Sequence, residues 1–188
     1  MWFKNLRVYR FTQDFSLDAV ALGDALETGA FVPCGSQELS RYGWVSPINH
    51  QSDSDAGLVH VNQDYYMICA KKQEKVLPAA VINEAVDEKA AAISEAEGRP
   101  VGRKERQSIK DDVMMELLPR AFARSSLQFA YIAVKKGYIV INAASASKAE
   151  ELLAALRDVV GSLPVIPLLS KQLPHQMMTE WVNQGSTP

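Results

Sequence analysis

The chain has 188 residues, of which 47% are hydrophobic and 22% charged, and its formal net charge is −2. These values are typical of a folded protein of one or two domains, and they exclude a largely disordered or collagen-like chain. Its apolar runs fall short of the ~18–20 residues of a transmembrane helix, and its first residues lack the basic leader and apolar stretch of a secretory signal. Two cysteines, Cys34 and Cys69, are too few for a disulfide framework, so we expect reduced thiols and a cytoplasmic protein.

Charge is distributed unevenly along the chain. Residues 1–98 carry a net charge of −6, residues 99–136 carry +5 and residues 137–188 carry −1. A basic middle within an acidic frame can attract a polyanion to one face of a molecule. The same pattern also fits a solvated helical segment whose charges only maintain solubility, and the sequence leaves both interpretations open.

The first part of the chain has the pattern of a sheet with helices on one side. Alternation of apolar and polar residues predicts a strand over residues 4–11, and Ser16 is expected to cap a helix over residues 17–27. In chain order, we then predict a short helical turn at 37–42, a polar loop at 49–57, and strands at 58–61 and 65–72.

The middle of the chain changes to helical spacing. Pro78 suits a first helical position, and an amphipathic stripe follows it as far as Gly98. A second amphipathic helix is predicted over residues 103–118. Two such helices joined by a short Gly/Pro break predict an antiparallel helical hairpin over residues 78–118, with a basic tip.

The last part of the chain returns to alternating strands and one strongly amphipathic helix. Ser147 and Glu150 have the spacing of a capping box, which predicts that a helix begins there. We predict strands at 127–134, 138–142 and 163–168, and a weak helix at 177–182.

These elements predict an α+β fold with a discontinuous body. The sheet-and-helix body comprises residues 1–77 and 119–170, and the projecting helical hairpin of residues 78–118 interrupts it. Residues 171–188 are expected to begin a further C-terminal region.

Side chains suited to catalysis or metal binding lack the spacing that such chemistry needs. His50, His60 and His175 share no ligand spacing with one another or with the cysteines. Asp53 and Asp55 lack the Gly and distal Glu of a calcium loop. The sequence also lacks the Gly-rich phosphate-binding motifs and the Gly-x-Ser-x-Gly nucleophile motif. We therefore predict no enzyme activity, no metal and no cofactor.

The basic middle has the composition of a phosphate-binding surface, which requires little more than Lys and Arg side chains held along one face. Six of its cations are predicted to contact DNA: Arg99, Arg103, Lys104, Arg106, Arg120 and Arg124. Phe122 is the one aromatic residue between the last two. That composition favours contacts with the backbone of duplex DNA over stacking with unpaired bases.

The chain also carries a set of short phrases that are specific as an ordered set, although none is a catalytic motif. They are Trp2–Leu6, Val8–Arg10, Pro33–Gln37, Gly43–Val45, Lys75 with Leu77–Pro78, Leu117–Phe122, Ala144–Ala146, Lys148–Glu150, Leu163–Val165 and Thr179–Val182. Together they resemble the RdgC family of bacterial recombination-associated proteins, in family order and across essentially the whole chain.

The resemblance implies a ring-shaped homodimer whose basic hole admits duplex DNA with little sequence preference. It also implies association with the nucleoid and restraint of RecA-promoted strand exchange by occupation of the DNA, without nucleotide hydrolysis. On the same basis, residues 78–118 correspond to a projecting tip, and Phe122 plugs a pocket or supports a subunit contact. An ordinary core position is the alternative for Phe122.

One departure from the family concerns length. Family members continue beyond the Thr179–Val182 phrase, whereas this sequence stops at Pro188, so we expect an N-terminal fragment or a shortened relative. The leading hypothesis is a non-enzymatic, non-sequence-specific binder of double-stranded DNA. The alternative is an interaction module that contacts a recombination protein through the helical arm, and a small-molecule enzyme is a third possibility without a supporting motif.

Overall fold

The computed structural model describes residues 3–49, 57–169 and 174–185. The strands are β1 (Leu6–Phe11), β2 (Ser40–Val45), β3 (Val59–Asn62), β4 (Tyr65–Val76), β5 (Phe122–Ala133), β6 (Tyr138–Asn142) and β7 (Val165–Pro167). The helices are α1 (Ala19–Glu27), α2 (Ala79–Glu97), α3 (Arg103–Leu117), α4 (Ala146–Val160) and α5 (Pro174–Gln184), with a 3₁₀ turn at Leu118–Arg120. The predicted α+β class is confirmed. His50, Asp53 and Asp55 lie outside the described residues.

The described strands form one seven-stranded sheet in which paired strands are antiparallel. The strand order is β2-β4-β5-β6-β1-β7, and β3 also pairs with β4. Because β5 pairs with β4 along its whole length, β2 and β3 share the opposite edge of β4. None of the described helices is long and apolar enough to cross a membrane.

The main core lies between one face of this sheet and the helices α1 and α4. Cross-strand partners point to the same face, and the partners Ile68, Ala130 and Ile141 are all fully buried there. The helices meet them with apolar side chains at helical spacing: Leu22 and Leu26 of α1, and Ala149, Leu152, Leu153 and Leu156 of α4. Each large apolar side chain buried in this way stabilises the fold by ~1.5–3 kcal/mol.

A second, smaller core joins α2 to α3. It contains Ile82, Val86 and Ala90 of α2 and Ile109 and Val113 of α3, and its members are distinct from those of the sheet core. The 12-residue strand β4 precedes α2, and the 12-residue strand β5 follows α3 and the 3₁₀ turn. The two predicted helices are thus present and packed on each other, while their projection from the body as a separate arm stays a prediction.

Two helix starts differ from the sequence prediction. Asp18, not Ser16, caps α1, because its Oδ1 accepts a hydrogen bond from the Ala21 N–H at 2.8 Å. Ser145, not Ser147, caps α4, and its Oγ accepts from the Lys148 N–H at 3.3 Å. The predicted capping box of Ser147 was therefore wrong by two residues. The cap is the last residue with extended backbone, and Ser145 has that conformation, with φ −116° and ψ 153°.

The predicted helical turn at residues 37–42 was also wrong. Ser40–Val45 forms β2, which pairs with β4 from Ser40–Glu74 to Val45–Cys69. The unpaired edge of β4 offers backbone hydrogen bonds that outweigh the weak local preference of this short segment for a turn.

Candidate nucleic-acid interface

The connection between α2 and α3 places four of the predicted cations close together in the chain. Gly98 ends α2 with a left-handed φ of 64°, and Gly102 caps α3. Arg99 lies between these glycines and forms a bidentate pair with Glu105, with distances of 2.8 and 2.9 Å, and a second ion pair with Glu97 at 2.5 Å. These hydrogen bonds raise the pKa of Arg99 and largely neutralise its field.

Arg103 and Lys104 are exposed in the first turn of α3 and form no ion pair within the described part of the chain. Cations are unfavourable at a helix N-terminus because the macrodipole is positive there. A residue that breaks a local rule in this way is frequently retained for binding. These two side chains are therefore the ones in this group whose charge is available to a polyanion.

Arg106 is partly neutralised, because its guanidinium pairs with Asp87 of α2. It still lines a groove of about 220 Å³ between the two helices, together with Arg103, Lys110, Asn83, Val86 and Gln107. The groove thus combines three cationic side chains with two amides, which is a composition suited to phosphate oxygens.

The other two predicted contacts, Arg120 and Arg124, lie at the start of β5. Arg120 ends the 3₁₀ turn and is exposed. Arg124 stands directly opposite Glu74 in the β4–β5 register and has no ion pair among the described residues. The structure therefore places the six predicted cations in two groups, one at the helix connection and one on the β4–β5 pair.

Sequence reasoning missed two cations beside Arg124. Lys72 and Lys148 line a polar cavity of about 220 Å³ with Arg124 at the N-terminus of α4, and the carboxylates of Glu74 and Glu151 line the same cavity. Lys72 binds Glu151 at 2.7 Å, and this hydrogen bond raises the pKa of Lys72. The three cations come from separate elements, so spacing along the chain carried no signal that could bring them together.

Phe122 is 87% exposed, which contradicts an ordinary core position. An apolar groove of about 510 Å³ lies nearby, at the C-terminal end of α3. It is lined by Leu39, Met114, Met115 and Leu118 with Gln37 and Asp111 at its rim. The molecule therefore has both an exposed aromatic side chain and an apolar groove. A contact between two copies of one chain requires two such complementary features.

The described histidines and cysteines are not gathered into a site. No group of three or more His, Cys, Asp or Glu side chains is arranged to hold a metal ion in the described ranges. Burial raises the pKa of the Cys69 thiol to about 12, so this thiol stays protonated at neutral pH.

Comparison with known proteins gives the same family along the entire chain. The family model described as "Putative exonuclease, RdgC" matches residues 1–188. The chain belongs to the RdgC family. The resemblance carried by the ordered phrases of the sequence is thereby confirmed.

Curated RdgC relatives share close to half of their matched residues with this chain. The "Recombination-associated protein RdgC" of Tolumonas auensis is 47% identical over 188 residues, which is all of this chain and 61% of the relative. The proteins of the same name from Pseudomonas fluorescens and Aeromonas hydrophila are 50% and 45% identical, over 97% and 100% of this chain and 59% and 61% of their own lengths. The chain thus spans about three fifths of the RdgC relatives that it matches.

Proposed function

We propose that this chain provides a non-sequence-specific binding surface for double-stranded DNA and acts in recombination by occupying the DNA, without enzymatic chemistry. The observation that carries the proposal is the set of exposed cations without an ion-pair partner among the described residues: Arg103, Lys104, Arg120 and Arg124. The names of the relatives, "Recombination-associated protein RdgC", support the part of the proposal that concerns recombination.

Electrostatic contact with phosphates accounts for binding without sequence preference. Each neutralised phosphate releases condensed counterions, so log affinity falls by ~0.9 per contact for each unit of log salt. Four available cations predict a slope of about −4, whereas all six predicted cations would give a slope of about −5. Arg99 and Arg106 already have carboxylate partners, so we expect the smaller value.

The test is fluorescence anisotropy of a labelled 30-base-pair duplex, titrated with this chain across a series of salt concentrations. Binding that is steeply salt-dependent and equal for two unrelated duplex sequences supports the proposal. A flat salt response, or no binding at low salt, contradicts it for this chain.

For the whole protein, we propose a homodimer that encircles duplex DNA, associates with the nucleoid and excludes RecA from the DNA that it occupies. Phe122 would form one subunit contact by entering the apolar groove beside Leu118 of the second copy. The exposure of Phe122 and the apolar lining of the groove support this pairing. A RecA-promoted strand-exchange assay on DNA loaded with full-length protein tests the exclusion, and undiminished exchange contradicts it.

The same groove supports the second candidate function, contact with a recombination protein. Met114 and Met115 are flexible apolar side chains, which suit a surface that adapts to a partner. This alternative predicts binding that tolerates salt and depends on Met115. It also predicts that reversing the charge of Arg103, Lys104 and Arg106 leaves that binding intact, while DNA binding would collapse under the duplex proposal.

A further inference from the structure

The C-terminal half of α3 has two apolar stripes, and only one of them is buried against α2. Ile109 and Val113 belong to the smaller core between the two helices. Met114, Met115 and Leu118 recur at helical spacing on a neighbouring face and line the apolar groove of about 510 Å³. Met114 is half-buried because it also packs against the smaller core, whereas Met115 is 68% exposed. The second stripe thus leaves the Met115 side chain largely open to solvent within an apolar groove.

An accessible thioether is a target for peroxides. Hydrogen peroxide transfers one oxygen atom to the sulfur: the O–O bond breaks, an S–O bond forms, and the second oxygen leaves as water. The sulfur loses two electrons and the peroxide gains them, so no further reactant is needed. The product at Met115 is a methionine sulfoxide, which is polar where the thioether was apolar.

The groove suits a sulfoxide only while water reaches it. A sulfoxide oxygen is a hydrogen-bond acceptor, and Asp111 at the rim is also an acceptor, which already receives a hydrogen bond from Gln107 Nε2 at 3.0 Å. Gln37 has an amide donor but lies exposed at the rim. A Phe122 ring from a second copy would exclude water and bring no donor. Covering the sulfoxide would therefore cost the hydrogen bonds that it makes with water.

The self-association proposed above covers this position. It places the Phe122 ring of one copy in the groove of the other, where a Met sulfur makes a favourable contact with an aromatic ring. We propose that Met115 is an oxidation site through which peroxide disperses the self-associated chain, an inference that rests on the proposed Phe122 contact and adds its regulation. Oxidation and association oppose each other, because the second copy shields the thioether and the sulfoxide disfavours the second copy.

The first experiment is sedimentation equilibrium of the chain before and after treatment with hydrogen peroxide, with oxidation of each methionine quantified by peptide mass spectrometry. Oxidation of Met115 is expected to weaken self-association by about tenfold. Met115→Leu keeps an apolar side chain of similar volume without a sulfur, so this variant is expected to associate and to resist peroxide. The matched control is Met178→Leu. Met178 is 59% exposed on α5, outside the groove, and its replacement is expected to leave the sensitivity unchanged.

The second experiment follows the oxidation rate as the protein concentration changes. Because association covers Met115, its oxidation is expected to slow as the concentration rises through the dissociation constant of the dimer. Oxidation of Met178 is expected to proceed at one rate throughout. Phe122→Ala removes the ring that covers the groove, so Met115 in this variant is expected to lose its protection at high concentration.

The outcomes distinguish the inference from the contact on which it rests. A chain that is monomeric before peroxide treatment overturns both. A chain that associates, and whose association survives complete oxidation of Met115, overturns the inference alone. Sensitivity that persists in Met115→Leu but disappears in Met114→Leu also overturns it, as does loss of the circular-dichroism signal on oxidation. If Met115→Leu fails to fold, equal rates of Met115 oxidation at low and high concentration of the unsubstituted chain overturn the inference without a variant.

Discussion

Arg99 and Arg103 are four residues apart and carry the same charge, but they differ in how available that charge is to a polyanion. Arg99 is held by two carboxylates, those of Glu97 and Glu105. To bind a phosphate, its guanidinium would first have to leave both. Arg103 has no carboxylate partner in the described part of the chain, so a phosphate is its best available counterion.

Removing the two available cations of α3 is expected to weaken duplex binding more than removing Arg99. The double substitution Arg103→Ala and Lys104→Ala eliminates two contacts, so the salt slope becomes less steep by ~1.8. Arg99→Gln removes a charge that is already neutralised and is expected to change the slope little. Anisotropy with a labelled duplex measures both.

The matched control for loss of charge alone is Arg157→Ala, at an exposed position on α4. Because the control removes one charge and the double substitution removes two, an effect of Arg157→Ala half as large as that of the double substitution would show that only net charge matters, which contradicts specific contacts on α3.

The buried thiol of Cys69 is expected to make the fold sensitive to alkaline pH. Burial raises its pKa from 9.0 to about 12 in the folded state. Below pH 9 the thiol is protonated in both states and does not affect the pH dependence. Between these values the unfolded chain loses a proton that the folded chain retains, so the free energy of unfolding falls by up to ~1.4 kcal/mol per pH unit.

Urea unfolding followed by tryptophan fluorescence at pH 8 and pH 10.5 tests this prediction. Cys69→Ala lowers stability at both pH values through lost packing, but its decline between them is expected to be shallower than that of the unsubstituted chain. An identical decline would place the alkaline sensitivity elsewhere, and Tyr42, whose pKa burial also raises, would be the next group to replace.

At the scale of single elements, two glycines have opposite expected effects. A Cβ on Gly43 of β2 would lie 2.5 Å from the Cα of Phe31 and 2.8 Å from its nitrogen, both backbone atoms. A Cβ on Gly23 of α1 would have no heavy atom within 4 Å. Gly43 thus allows the 30–31 segment to approach β2, whereas Gly23 only weakens a helix.

We therefore expect Gly43→Ala to destabilise the chain by ~1–3 kcal/mol through a forced backbone shift. Gly23→Ala is expected to stabilise it by ~0.5–1 kcal/mol because alanine has the higher helix propensity. Urea unfolding measures both changes. Loss of stability in the Gly23 variant, or none in the Gly43 variant, would contradict this account of the two positions.

At the scale of the whole molecule, Phe122 is expected to decide self-association. In a C2 dimer, Phe122 of each copy would enter the groove of the other, so a single substitution would change the contact at two places. The substitutions Phe122→Ala and Met115→Glu are therefore each expected to shift the equilibrium towards the monomer relative to the unsubstituted protein. Sedimentation measures this shift. Val20→Ala, at an equally isolated exposed apolar position, is the control.

A chain that sediments as a monomer at all concentrations, before any substitution, contradicts this contact. An equal shift in the Val20→Ala control would indicate a general effect of surface hydrophobicity.

Also at this scale, we expect duplex DNA to remain intact when it is bound. The guanidinium groups of Arg103, Arg120 and Arg124 neutralise phosphates but stay protonated at neutral pH, so they supply no general base. Incubation of an end-labelled duplex with the chain and Mg²⁺ is expected to leave its length unchanged on a denaturing gel. Progressive shortening from the ends would contradict a non-enzymatic function.

The sequence by itself determined the fold class, most element positions and the family. Apolar side chains recur at helical spacing in α2, α3 and α4, and they alternate with polar ones in β1 and β6. Both patterns can be recognised within a short stretch of sequence. The ordered short segments identified the RdgC family because their residues and their order can be compared without any knowledge of the structure. The same local information placed the cations of residues 99–136 in one stretch.

Only the tertiary structure decided which of those cations are available. Arg99 is neutralised by Glu105 and Arg106 by Asp87 of a different helix, and a pairing between elements leaves no mark on spacing. The strand β2 likewise exists because the edge of β4 offers it partners. The ring contact between Tyr65 and Tyr131 also depends on the register of β4 and β5, which is set by long-range pairing across the sheet.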